Sequence, residues 1–276
     1  MASIVVKHAE GNRNGASPPP EESLIDRLKQ MVALIKTRLV DGDLNSVDLL
    51  LAIQEINQAN LSDEQDTCEI VFKDIIKISD SFREHQKFHS SLFMVWLAST
   101  LCKNFTDPDI KIIRLNDCGN STNYTAKLLC LYDKKEDIER YVLPMVRNLY
   151  EVMRSVETNT NILKVHILCK FFGRIGWCYT YINDYENSAE YFSEGLETMI
   201  KWFGDDAKQF IITGSSCYQA GKCYRCLQKF NEATELFERS IKLYKGVLDV
   251  GDEEKKKCID IAVEQLQKSR AGDSSE

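Results

Sequence analysis

Six positions recur as a set. Gly176, Tyr179, Tyr185, Ser188, Phe192 and Gly195 are followed 45 residues later by Gly221, Tyr224, Phe230, Ala233, Phe237 and Ser240, with spacings of 3, 6, 3, 4 and 3 in both sets. Spacings of three and four keep side chains on one face of a helix, and the gap of six leaves room for a turn. Small residues let two antiparallel helices approach, and the aromatics one turn away fill the space beside them. A helix pair with such a face cannot bury it alone, so pairs stack. A weaker set precedes these two. Ala126, Leu129, Ile138, Val142 and Met145 stand at the same relative places without the glycines and aromatics.

The rest of the chain agrees with an all-α fold. Of 276 residues only 13 are Gly and 5 are Pro, and three of the prolines form one run, Pro18–Pro20. Few turn formers favour long helices over many short strands. Residues 1–20 read as a disordered polar tail. Residues 21–105 read as a helical N-terminal region, either diverged repeats or a bundle, with apolar spacing from Leu24 to Leu39 and again from Val47 to Ile56. Ser62 and Gln65 form a capping box that opens the next helix. The stretch from Thr106 to Asn120, punctuated by Pro108 and Asp117-Cys-Gly-Asn120, is expected to be a loop with a short helix. Repeats are expected over 121–250, a capping helix over 251–269 and a polar tail over 270–276.

The order of small and aromatic positions resembles the tetratricopeptide repeat family, over about 163–199 and 208–243. The period of 45 exceeds the family's usual ~34 residues, which longer helices or an insertion at 202–208 would explain. The resemblance implies a right-handed α-solenoid of antiparallel helix pairs and a non-enzymatic adaptor or scaffold. In this family the first helix of each pair usually lines a concave groove. By the same alignment the inward positions are Lys170, Gly173, Arg174, Trp177, Thr180 and Tyr181, then Ser215, Tyr218, Gln219, Lys222, Arg225 and Cys226.

Lys170, Arg174, Lys222 and Arg225 would put four cations in the groove of a chain whose net charge is −7. Beside Trp177, Tyr181 and Tyr218 they suit an acidic peptide or the C-terminal segment of a partner. Lys170 and Arg174, four apart, resemble the basic pair by which some family members clamp carboxylates. Trp177 stands where such clamps carry Asn, so the clamp is incomplete. Replacing all four cations with Ala is expected to weaken an acidic partner without lowering the melting temperature. The alternatives are a regulatory subunit, a self-associating helical protein and, with less support, a helical enzyme.

Little else points to chemistry. The acidic balance argues against nucleic acid. No run approaches ~18 apolar residues, and Ile4–Val6 is too short for a secretory signal, so a cytoplasmic protein without membrane contact is expected. The ten cysteines read as reduced core residues. Cys223-Tyr-Arg-Cys226 lacks a second pair, and His85 and His89 lack a third ligand, with Gln86 where a metalloprotease helix needs Glu. No phosphate loop, dinucleotide fingerprint or nucleophile elbow occurs, and His166 before Cys169 has no evident orienting partner. No metal or cofactor is expected.

Overall fold

The computed structural model describes residues 65–158 and 161–272, with Asp26, Gln30, residues 32–34 and Thr37 as helical positions before them. The expected helix over Val47–Ile56, the tail before residue 21 and residues 273–276 lie outside the described residues. Helices α1 (Gln65–Glu84), α2 (Phe88–Leu101) and α3 (Pro108–Leu131) come first. A single helical turn, Lys135–Asp137, and a π-helical turn, Ile138–Val142, lead into α4 (Leu143–Ser155), which carries Pro144 in its first turn. Then follow α5 (Asn161–Tyr181), α6 (Tyr185–Phe203), α7 (Ile211–Cys226), α8 (Phe230–Lys245) and α9 (Asp252–Arg270). Among the described residues there is no strand. The described residues form an all-α stack of antiparallel pairs, α1/α2, α3/α4, α5/α6 and α7/α8, with α9 lying on α8.

One turn closes all four pairs. Gln86, Asp133, Asn183 and Gln228 have φ of 59°, 56°, 67° and 60°. Each left-handed residue donates its N–H to the carbonyl three back, and the next residue donates to the carbonyl five back. In the last pair these bonds are Gln228 N–H to Arg225 O, 2.9 Å, and Lys229 N–H to Tyr224 O, 2.9 Å. The same two bonds recur at 86/87, 133/134 and 183/184. This double bond satisfies the last carbonyls of the first helix and reverses the chain tightly enough for the second to return along it.

Seven residues before and five after each turn residue lie matched buried places on the two helices. Ser79 meets Ser91 and Gly176 meets Ser188 at these places, and the buried Ala126 and Ile138, and Gly221 and Ala233, occupy the same places in the other two pairs. The Ser188 hydroxyl donates to Gly176 O at 2.9 Å. A methyl group on Gly176 or Gly221 would meet the ring of Phe192 or Phe237 at 3.0 Å, so these two glycines are required by close approach. Ser79 and Ser91 hydroxyls lie 2.8 Å apart. The first pair therefore carries the same spacing as the sets read from the sequence: Ser79, Phe82, Phe88, Ser91, Val95 and Ala98, all buried.

The expected loop at Thr106–Asn120 is corrected: α3 runs unbroken from Pro108. Pro108 sits at the first helical position, where its missing N–H costs nothing, and the Asp107 carboxylate accepts from the Asp109 and Ile110 N–H groups. Gly119 is a packing residue in mid-helix. A methyl group there would lie 2.5 Å from the Arg174 guanidinium and 2.9 Å from the Phe171 ring.

A large core runs through α1 to α5, around Phe72, Leu97, Ile112, Val146 and Phe171. Smaller clusters fill the later joints, such as Ala189, Phe192, Ala220 and Cys223 between α6 and α7. On α9, Ala262, Leu266 and Ser269 are buried, and the Ser269 hydroxyl donates to Phe230 O at 2.9 Å.

Candidate functional site

The first helices of the four pairs, α1, α3, α5 and α7, present one face with two compartments. The first lies between α1 and α3, holds about 470 Å³, and includes Phe72, Ile76, Arg83, Arg114 and Tyr124 in its lining. The second lies between α5 and α7, holds about 370 Å³, and includes Lys170, Arg174, Trp177, Ser215 and Gln219. Asn120, an exposed residue of α3, lines both.

Their electrostatics differ. In the α1/α3 compartment every cation has a carboxylate. Arg114 binds Glu69 and, at 2.6 Å, Asp117; Arg83 binds Asp80; Lys73 reaches Glu69 at 3.2 Å and Lys77 reaches Asp74 at 3.6 Å. In the α5/α7 compartment neither Lys170 nor Arg174 has a carboxylate within 4.0 Å among the described residues. Arg174 is only 5% exposed. One of its terminal nitrogens donates to Asn116 Oδ1 and Asn120 Oδ1, both at 2.6 Å, while the other has no hydrogen-bond partner. Its plane lies 4.6 Å over the Phe171 ring. Burial pushes Arg174 down to about 10 from its usual range, only partly opposed by Asp117 and Cys118. Lys170 is also lowered, by its own burial and then by Arg174. Buried charges are normally paired, so this guanidinium is an exception that calls for a reason.

The seven residues expected in the groove separate into groups. Lys170, Arg174 and Trp177 line the α5/α7 compartment together. Tyr181 stacks on Trp177, ring centroids 5.7 Å apart, and packs against the large core. Lys222, half-buried, lies one turn beyond Gln219 on α7. Tyr218 turns away from the groove, onto Phe237 at 5.8 Å and toward α8 and α9. Arg225 is fully buried, at the position three before the turn that Arg83 occupies in the first pair. It is a core residue rather than a groove cation, because the last turn of α7 is covered by its neighbours. Arg174 is likewise part of a helix joint, so alanine at all four cations would disturb packing. The expectation of an unchanged melting temperature is corrected on that ground.

Ser215, an expected inward position, lines the α5/α7 compartment, whereas Asn116, Asn120 and the α1/α3 compartment lie outside the expected set. The spacing at Ser79–Ala98 is the signal that would have found the latter.

The other motifs are placed as follows. The His85 ring bonds Ser81 O at 2.7 Å, and His89 stands 3.5 Å from Asp137 and edge-on to Tyr141. Among the described residues no group of three or more His, Cys, Asp or Glu is arranged to hold a metal. Burial pushes the Cys169 thiol up to about 12, away from a nucleophilic thiolate, and burial followed by Lys170 lowers His166. Cys223 is buried, with Sγ 3.1 Å from the Ser188 hydroxyl. No described helix is long and apolar enough to cross a membrane.

Comparison with known proteins adds one assignment. No curated protein matches the sequence. Among solved structures, the crystal structure of BtubC (BKLC) from P. vanneervenii is 13% identical, over 89% of this chain and 87% of that one, with a TM-score of 0.49. A computationally designed self-assembling cyclic homooligomer is 11% identical, over 90% of this chain and 93% of that one, with a TM-score of 0.30. At such scores neither likeness bears on function. The sequence model of the tetratricopeptide repeat matches residues 214–246, which span α7 from Gly214 and all of α8. The pair closed by the turn at Gln228 thus matches the tetratricopeptide repeat.

Proposed function

We propose that this chain is a scaffold that holds an acidic peptide, or the C-terminal segment of a partner protein, along the face of α1, α3, α5 and α7. The observation that supports the reading is the pair Lys170 and Arg174, two adjacent cations in a cleft that feel Asp249 and Asp117 but have no described carboxylate within 4.0 Å. A carboxylate from a partner would reach Lys170 directly and feel the field of Arg174 in a partly dewatered site, where a charge-assisted contact is stronger than on an open surface. Ser215 and Gln219 add polar contacts on the facing helix, and Trp177, stacked on Tyr181, offers flat apolar surface at low entropic cost.

The test uses Lys170→Ala, because Lys170 is half-buried and makes no hydrogen bond that α5 needs. Binding of a fluorescein-labelled acidic peptide, such as one ending in Glu-Glu-Asp, is measured by anisotropy at low and moderate salt. We expect the variant to bind about tenfold more weakly and the salt dependence to flatten, with an unchanged melting temperature. Equal binding by the two proteins would overturn the proposal.

A further inference from the structure

The two compartments differ in what they leave for a ligand to meet, and one residue joins them. In the α1/α3 compartment the charges are closed on themselves by the ion pairs described above. What remains open is apolar: the side chain of Ile76 and the ring of Tyr124, which is 52% exposed. The ring is supported from behind. The Arg83 guanidinium lies 5.3 Å from its centroid, and that guanidinium is itself buried and held by the hydroxyls of Ser79, Ser91 and Ser121. A ring fixed in this way loses little freedom when a second apolar group covers it.

Asn120 stands on the ridge between the compartments. Its Oδ1 accepts from Arg174 at 2.6 Å, which settles the orientation of the amide. The Nδ2 end is therefore the one free to donate on this exposed residue, and among the described residues it makes no hydrogen bond. A buried cation thus orients an exposed amide as a donor, midway between a cationic cleft and an apolar one.

We infer that the partner segment is bipartite: its carboxylate sits at Lys170, an aromatic or large aliphatic side chain sits against Tyr124 and Ile76, and the main chain between them crosses Asn120. This inference rests on the groove reading above and adds the second anchor and the spacing. Neighbouring helices are about 8–10 Å apart, and the two anchors are separated by one to two such steps. At about 3.3 Å per residue of extended chain, the apolar residue lies roughly three to six residues from the acid.

The experiment is a spacer series. Labelled peptides carry Phe and a Glu-Asp pair separated by one to ten Gly/Ser residues, and a control replaces Phe with Ser. Each is titrated by anisotropy against wild type, Tyr124→Ala and Lys170→Ala. Tyr124 is exposed enough for its replacement to leave the core intact, and a thermal melt confirms this. With spacers near three to six, we expect the Phe peptide to bind about tenfold tighter than its control. Tyr124→Ala should erase that gain without changing the control, and Lys170→Ala should weaken both. If the control binds and responds to Lys170→Ala but no spacer adds affinity, the bipartite inference falls and the groove reading stands. A gain that survives Tyr124→Ala also overturns the inference. If no acidic peptide binds wild type, both fall.

Discussion

The first described helix pair and the matched repeat near the other end share a skeleton and differ in filling. In α1/α2 the contact across the pair is Ser79 against Ser91, and the space beside it is taken by Arg83, whose guanidinium ties both serines to Ser121 on α3. In α7/α8 the small residues at those places are Gly221 and Ala233, and the Phe237 ring lies against Gly221. The turn residues Gln86 and Gln228 have almost the same φ and the same two backbone bonds. The backbone of a pair is therefore set by the turn and by two small residues. Guanidinium and hydroxyls complete it in the first pair, and in the last the Phe237 ring does so beside Arg225, buried at the place of Arg83. The polar filling demands that every donor find its acceptor, whereas the ring demands only volume.

Four measurements test how far that equivalence extends. The largest effect is expected from Gly221→Val, whose first added carbon already meets the Phe237 ring at 3.0 Å. Overpacking of this kind should cost about 3 kcal/mol in urea unfolding, and a cost below about 1 kcal/mol would mean that the ring can move aside. Arg83→Ala comes next, at about 2 kcal/mol, because it strips the buried serines of their donor. Arg83→Met, which fills the space without the charge, should recover part of that loss. If Ala and Met cost the same, the network matters less than its volume.

Gln86→Gly and Gln228→Gly should each stabilise the protein by roughly 0.5–1 kcal/mol, since glycine adopts positive φ without strain. Unequal gains would show that the two turns are not the same device.

The smallest effect is in pH and belongs to the C-terminal joints. Burial and Lys170 lower His166 below its usual value, so the unfolded chain takes up this proton first. Its contribution is present above about pH 6.5 and is lost as pH falls through the folded value. The melting temperature should drop less between pH 7 and 5 in His166→Asn than in wild type, and parallel curves would refute the assignment.

Much of the C-terminal half was legible because its packing residues are extreme. Gly176 and Gly221 beside Phe192 and Phe237 leave a spacing that few other arrangements produce. The first pair uses the same spacing, but with Ser79 and Ser91 at the small positions and Val95 at the ring position, and such ordinary residues do not announce a repeat. At the opening of α3, Pro108 and Gly119 suggest a loop with a short helix because both residue types favour turns. Here one begins the helix, and the other makes room for a side chain 55 positions further along. That requirement is tertiary and has no local trace. Helix periodicity alone brings Lys170, Arg174 and Trp177 to one compartment. Arg225 is fully buried instead, because periodicity tells which way a residue points but not whether another element covers it.

Arg174 has one more consequence. It lies within the joint of α3 and α5, pressed on Gly119 and Phe171, rather than on a free rim. A ligand that offsets its charge therefore acts on the angle at which two helix pairs meet. By reciprocity, whatever bends or straightens the stack at that joint must change the ligand's affinity by the same factor. For the ligand proposed above, occupancy of the cleft and the angle between the two pairs would then be a single variable.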